Sequence, residues 1–156
     1  MTDATPRPRE PSYPLDPALD LLQCIWRVTH SVECLSMRME ARFGVTAQQR
    51  LVIRCVGKYP GITPGQLAVV LQLDPGSVSA TLKRLEARKL LTRRRDSRDR
   101  RRVTLGLTAE GMVLHQPMEG TLEHAVEKLL EETDRAEIAR AKALLVRLSE
   151  LVESET

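Results

Sequence analysis

The twenty residues from Lys83 to Arg102 hold eleven Lys and Arg against three Asp and Glu, a local balance of +8. Residues 1–82 carry eight against seven and residues 103–156 five against eleven, so the overall +3 hides one basic block. Cations crowded on a short stretch add in their attraction for phosphates, which points to a polyanion partner. Ser77, Ser79, Thr81, Lys83 and Arg84 set short hydroxyls and long cations on one stretch, a set suited to phosphates and base edges in a major groove. The other chemistry-bearing residues are scattered. Cys24, Cys34 and Cys55 form no Cys-x-x-Cys pair, and Cys24 and Cys34, ten residues apart on one helix, would stand about 15 Å apart along its axis. His30, His115 and His124 are equally dispersed, no pair has chelating spacing, and no metal or cofactor is expected. The sequence lacks a Gly-rich phosphate loop, a Ser-centred elbow and a Cys/His arrangement, so an enzyme is not expected.

The basic block has an ordered frame. Asp74 can cap a helix opened by Pro75, whose missing N–H is tolerated at the first helical position. Val78, Leu82 and Leu85 recur at helical spacing as its buried stripe. Leu90–Arg95 and Val103–Leu107 read as strands of a hairpin, with charged residues 96–102 between them. Side chains alternate along a strand, so Arg94 should point away from Arg93 and Arg95. Arg98, Arg100 and Arg101 are then left at the tip for DNA, and Arg102 for the phosphate backbone.

Upstream, Thr46-Ala-Gln-Gln49 and Thr63-Pro-Gly-Gln66 both have the form of a capping box, each opening a short helix. Leu51, Val52, Cys55 and Val56 supply the core face of the first, and Leu67, Ala68 and Leu71 that of the second. Only Gln72-Leu73 separates the second helix from the Asp74 cap. Two short helices joined so tightly, the latter basic, make a helix-turn-helix with the Asp74 helix as the reader of the groove.

The remaining chain is amphipathic helix. Residues 1–14, with four prolines, read as a flexible arm, with Arg7 and Arg9 its only groove-reaching cations. Residues 15–43 carry one long apolar stripe that Gly44 can terminate. Thr108 can cap a helix running toward Glu132, which Pro117 either kinks or disturbs in its first turns, and Thr133-Asp134 starts a last one. The stripes of 15–43 and 122–152 exceed what a domain of 156 residues needs and call for a partner chain. Only four residues are aromatic, Tyr13, Trp26, Phe43 and Tyr59, too few for a platform that stacks single-stranded bases. No apolar run is long enough for a membrane span and the start lacks a signal-peptide core, so a soluble cytoplasmic protein is expected.

Leu85-Glu86, Asp99-Arg100-Arg101 and Leu107-Thr108-Ala109-Glu110-Gly111, in this order of elements, resemble the MarR family of bacterial winged-helix regulators. The family's wing pattern falls on Asp99, Arg101, Leu105, Leu107 and Thr108. Two positions depart from it: Lys89 stands where Gly is frequent after the recognition helix, and Ser97 where Pro is common in the wing. A left-handed residue with a Cβ at Lys89 would cost on the order of 1 kcal/mol. The resemblance implies a mainly α winged helix-turn-helix with a small antiparallel hairpin: one domain over 15–156, with its DNA-binding lobe at about 46–111 and dimerisation helices at about 15–43 and 112–153. It implies a homodimer on pseudo-palindromic double-stranded DNA, with Arg101 inserted in a minor groove and Asp99 orienting its guanidinium. A repressor released by a small-molecule effector is the expected function. Trp26, His30 and Cys55 either line the effector pocket or belong to the core. Two other readings are a winged helix serving only protein–protein contact, and a regulator sensing oxidants through a cysteine, for which Cys24 is the candidate. The first of these calls for apolar or acidic residues where Lys83, Arg84 and Arg88 stand.

Overall fold

The computed structural model describes residues 13–95 and 102–155. Its elements are α1 (Pro17–Phe43), α2 (Ala47–Lys58), α3 (Pro64–Leu71), α4 (Pro75–Ala87), β1 (Leu91–Arg95), β2 (Val103–Leu107), α5 (Ala109–His115), α6 (Leu122–Glu132) and α7 (Arg135–Ser154). Residues 1–12, which hold most of the expected arm, lie outside that description, as do 96–101 with the expected tip residues Arg98, Asp99, Arg100 and Arg101.

Side-chain caps set the helix starts. Asp16 accepts from the amides of Ala18 and Leu19 ahead of α1, and Asp134 from that of Ala136 ahead of α7. Both expected capping boxes close: Thr46 and Gln49 bond each other's backbone, and so do Thr63 and Gln66. Asp74 accepts from the Ser77 amide at 2.9 Å, and Pro75 opens α4. Each such cap contributes about 1 kcal/mol by satisfying a donor the helix cannot use itself.

The core lies between α2, α3, α4 and the hairpin. Val52, Ile53 and Val56 of α2 meet Leu67 and Ala68 of α3, Val78, Leu82 and Leu85 of α4, and Leu91 and Leu105 of the strands. The two strands pair antiparallel with Leu91 opposite Leu107 and Arg95 opposite Val103. The Leu105 amide also donates to the Ile62 carbonyl, which ties the hairpin to the loop between α2 and α3. Leu51, assigned above to the core face of α2, is instead 42% exposed, because the α2 stripe turns toward Val52, Ile53 and Val56.

One expectation fails downstream. The helix after Thr108 is broken rather than kinked, and α5 ends at His115. Gln116 stands just before Pro117, which disfavours helical backbone there, and it adopts an extended φ of −66° and ψ of 152°. Gly120 turns the chain at φ 76°, and Thr121 starts α6 by accepting from the His124 amide. Neither α6 nor α7 buries a residue in this chain. No helix among the described residues is long and apolar enough to cross a membrane.

Candidate nucleic-acid interface

Two left-handed residues that are not glycine flank α4 in the chain, one at the end of α3 and one just past α4 itself. Gln72 (φ 51°) makes the turn from α3, with the Leu73 amide reaching back to the Ala68 carbonyl at 3.1 Å. Lys89 (φ 57°) closes α4. There the Leu90 amide donates to the Leu85 carbonyl and the Lys89 amide to that of Glu86, each at 2.9 Å. This is a Schellman motif, with Leu85 and Leu90 supplying its buried apolar contact. The departure at Lys89 therefore keeps the left-handed cap and bears its strain.

At about 100° per residue, Val78, Thr81, Leu82 and Leu85 form the inner face of α4, and all four are buried. Directly opposite lies the row Gly76, Ala80, Lys83 and Ala87, with Ser77 and Arg84 along one flank and Ser79 and Glu86 along the other. Lys83, Arg84 and Ser77 are exposed, and Ser79 is half-buried. Thr81 corrects the reading from sequence: only 6% exposed on the inner face, it presents no surface to DNA. Its hydroxyl suggested a groove contact, but helical phase places it among the core residues. Gly76 and Ala80 escaped that reading because they carry no polar group. Their small size lets the helix backbone approach a partner closely, and an alanine methyl can contact a thymine methyl.

The hairpin continues the surface. Arg93 stands opposite Leu105 and its Nε lies 3.3 Å from the Glu86 carboxylate, which ties β1 to the flank of α4. Arg94 points to the other face, beside Thr104, whose hydroxyl donates to the Arg94 carbonyl. Arg102 is exposed at the loop end of the hairpin, just before β2, and shares a groove with Gly65 and Gln66 in the first turn of α3. That pairing sets a cation beside a helix N-terminus, whose dipole also favours an anion. Arg88, by contrast, is exposed but engaged within the chain: its guanidinium donates to the Gly44 carbonyl at the end of α1.

Of the residues read as an effector pocket, Trp26 and His30 lie one turn apart on α1 and Cys55 lies on α2. Trp26 is 67% exposed, His30 is exposed, and Cys55 is half-buried against the core, where burial pushes its thiol pKa up. A cleft of about 540 Å³ opens instead between α1, α2 and α6, lined by Val32, Leu51, Arg54, Leu122, Glu123 and Val126 among others. His30 and Cys34 also correct the view that the histidines and cysteines are all dispersed. They lie one turn apart on α1, with Nε2 and Sγ at 3.6 Å. No group of three or more His, Cys, Asp or Glu that could hold a metal occurs among the described residues.

Residues 43–102 match the model of the MarR family. Two Bacillus subtilis proteins are similar in sequence. The organic hydroperoxide resistance transcriptional regulator is 31% identical over 48% of this chain and 51% of its own length. The HTH-type transcriptional repressor MdtR is 24% identical over 72% of each. The chain thus spans about half the length of the first of these and nearly three quarters of the second. Among solved structures, Streptococcus pneumoniae FabT in complex with DNA is 27% identical with a TM-score of 0.62, covering 89% of this chain and 97% of that one.

Proposed function

From the match of residues 43–102 to the MarR family model, we propose that this chain is a MarR-family winged helix, a sequence-specific regulator of transcription that binds double-stranded DNA as a homodimer. The observation that carries the reading is the outer row of α4. Lys83 projects between the small residues Ala80 and Ala87, flanked by Ser77 and Arg84, on a helix whose two ends are locked. Such a helix can enter a major groove with its backbone close to the bases. Arg102 and the first turn of α3 then hold phosphates on one side. The tip residues Arg98, Asp99, Arg100 and Arg101 keep the roles read from the sequence, with Arg101 in the minor groove and Asp99 orienting it. The solved relative in complex with DNA and the relative named a repressor support duplex binding and repression as the mode of action.

The dimer rests on exposed apolar surface. Leu19, Leu22 and Met37 of α1, Leu129 and Leu130 of α6, and Leu144 and Leu145 of α7 are each more than 40% exposed, and neither α6 nor α7 has a core of its own. Monomeric proteins rarely leave so much contiguous apolar area in water. A second copy covers it, and its two α4 helices meet two half-sites of a pseudo-palindromic duplex. The cleft between α1, α2 and α6 is where an effector would bind, its apolar walls suited to an aromatic or aliphatic body and Arg54 to an acidic group.

The rival use of the fold, contact with protein alone, calls for apolar or acidic residues where the exposed cations Lys83, Arg84 and Arg88 stand. A mobility-shift titration with bulk duplex DNA at low and raised salt separates the two. Binding that weakens steeply with salt supports the reading, and no shift at low salt overturns it.

A further inference from the structure

The least exposed cation of the chain's described residues belongs to neither the recognition helix nor the wing. Arg50 of α2 is 1% exposed, and its Nε lies 3.0 Å from the Glu123 carboxylate in the first turn of α6. Its two terminal nitrogens donate to the carbonyls of Leu114 and, at 2.8 Å, Gln116. One turn along, Arg54 donates to the carbonyl between them, that of His115. The His115 ring rests on Gly57, where a Cβ would fall 2.5 Å from Nδ1.

These contacts have a common origin in Pro117. By ending α5, the proline leaves the last carbonyls of that helix without partners inside it. Three consecutive carbonyls, 114 to 116, are taken instead by two arginines of a different helix. The other face of α2 carries Val52, Ile53 and Val56 into the core of the DNA-binding lobe. One helix therefore belongs to the lobe through its apolar face and to the start of α6 through its cations. A buried ion pair is a poor source of stability, since apolar residues of the same volume often serve as well. A planar guanidinium with three acceptors in fixed directions is, however, a good source of orientation.

We propose that Arg50, clamped between Glu123 and the carbonyls of Leu114 and Gln116, is a positioning residue for DNA recognition that sets the angle at which α6 leaves the DNA-binding lobe. In a dimer held by α1, α6 and α7, that angle fixes the separation of the two α4 helices and hence the half-site spacing the protein accepts. Glu123 also lines the cleft between α1, α2 and α6, so a ligand there would touch the clamp directly. This inference rests on the reading of the protein as a DNA-binding dimer.

The test uses a duplex selected by the wild-type protein from a random pool, remade with the half-sites one to three base pairs closer or further apart, together with a single half-site. The wild type should show a sharp optimum of spacing. Glu123→Gln, which keeps the side-chain shape and releases the guanidinium, should lose roughly two- to thirty-fold at the optimum. It should change little on the single half-site, so the spacing profile flattens. Glu123→Asp, which keeps the charge but withdraws the carboxylate, should fall between the two, and it carries the test if the Gln variant does not fold. A wild-type spacing profile in the folded variants, or an equal loss on every duplex, would overturn the inference. Failure of the wild type to prefer any duplex would instead remove the DNA-binding reading on which it stands.

Discussion

A Cβ at Gly111 would fall 2.0 Å from the Leu90 carbonyl oxygen. This contact joins the end of the recognition helix to the start of α5. Beside it the Thr108 hydroxyl donates to the Lys89 carbonyl at 2.7 Å and accepts from the Gly111 amide at 3.1 Å, while the Thr108 amide donates to Leu90. The run Leu107-Thr108-Ala109-Glu110-Gly111 is thus a fastening for α4 as well as a helix start. Gly111→Ala has no flexible side chain to push aside, only backbone. It should cost about 1–3 kcal/mol or more, as overpacking does. Thermal denaturation beside Gly65→Ala, a position with open space around it, checks this: equal melting temperatures would mean that the approach is not close in solution.

Gln72 at the end of α3 and Lys89 just past the end of α4 hold left-handed backbone without being glycine. Relief of the Cβ contact should outweigh the extra freedom glycine has in the unfolded chain. Gln72→Gly and Lys89→Gly should each stabilise the protein by roughly 0.5–1 kcal/mol, measured by urea unfolding. Loss of stability in both variants would show that their side chains contribute more than their strain costs.

Arg50 sits in the interior with Glu123 as its counter-charge. Burial lowers the Arg50 pKa, and the Glu123 carboxylate opposes that shift. Removing the carboxylate leaves a buried cation unpaired, and such losses run to about 3–5 kcal/mol for fully buried pairs. Glu123 is itself partly exposed, so Glu123→Ala should fall at the low end of that range. Urea unfolding of the variant measures it, and a loss within experimental error would mean that water reaches Arg50.

The His115 pKa is lowered, first by desolvation and then by the charges of Arg54 and Arg50. In the unfolded chain the same imidazole takes up its proton near pH 6.5. As pH falls below that value the unfolded state binds a proton that the folded state does not. Stability should therefore decline from about pH 6.5 downward until the folded-state pKa is reached, and be indifferent to this group above pH 7. His115→Asn should remove that part of the acid-side slope in unfolding measured from pH 7.5 to 5. An unchanged slope would assign the effect to other groups.

Much of this fold is legible in the sequence because its signals are local. Thr46 with Gln49, Thr63 with Gln66, Asp74 with Pro75, and Gly44 each act within one helical turn, and each caps the helix it announces. The break at Pro117 was harder to place: proline marks an interruption, but whether the helix bends or stops depends on Gly120 and Thr121, which offer a new start four residues on. The DNA-facing surface was legible in its charge and less so in its phase. Thr81 has the chemistry of a contact and the position of a core residue, whereas Ala80 has the reverse. Arg50 could not be told from a solvated cation, since its partner Glu123 is remote in sequence. Trp26 and His30 share one face of α1, a turn apart, whereas Cys55 lies on α2 against the core, a separation that ligand-suited chemistry alone does not reveal.

The central claim is that the outer row of α4 reads sequence in duplex DNA. The most direct measurement is the affinity of the protein and of Lys83→Ala for a duplex selected from a random pool and for a scrambled duplex of equal length, at about 0.15 M salt. The wild type should bind the selected duplex at least about a thousand-fold more tightly than the scrambled one. Lys83→Ala should shrink that ratio, with a cost of roughly 1–3 kcal/mol per site paired with a base edge. Equal affinity of the wild type for the two duplexes, or a ratio that Lys83→Ala leaves untouched, would contradict the account.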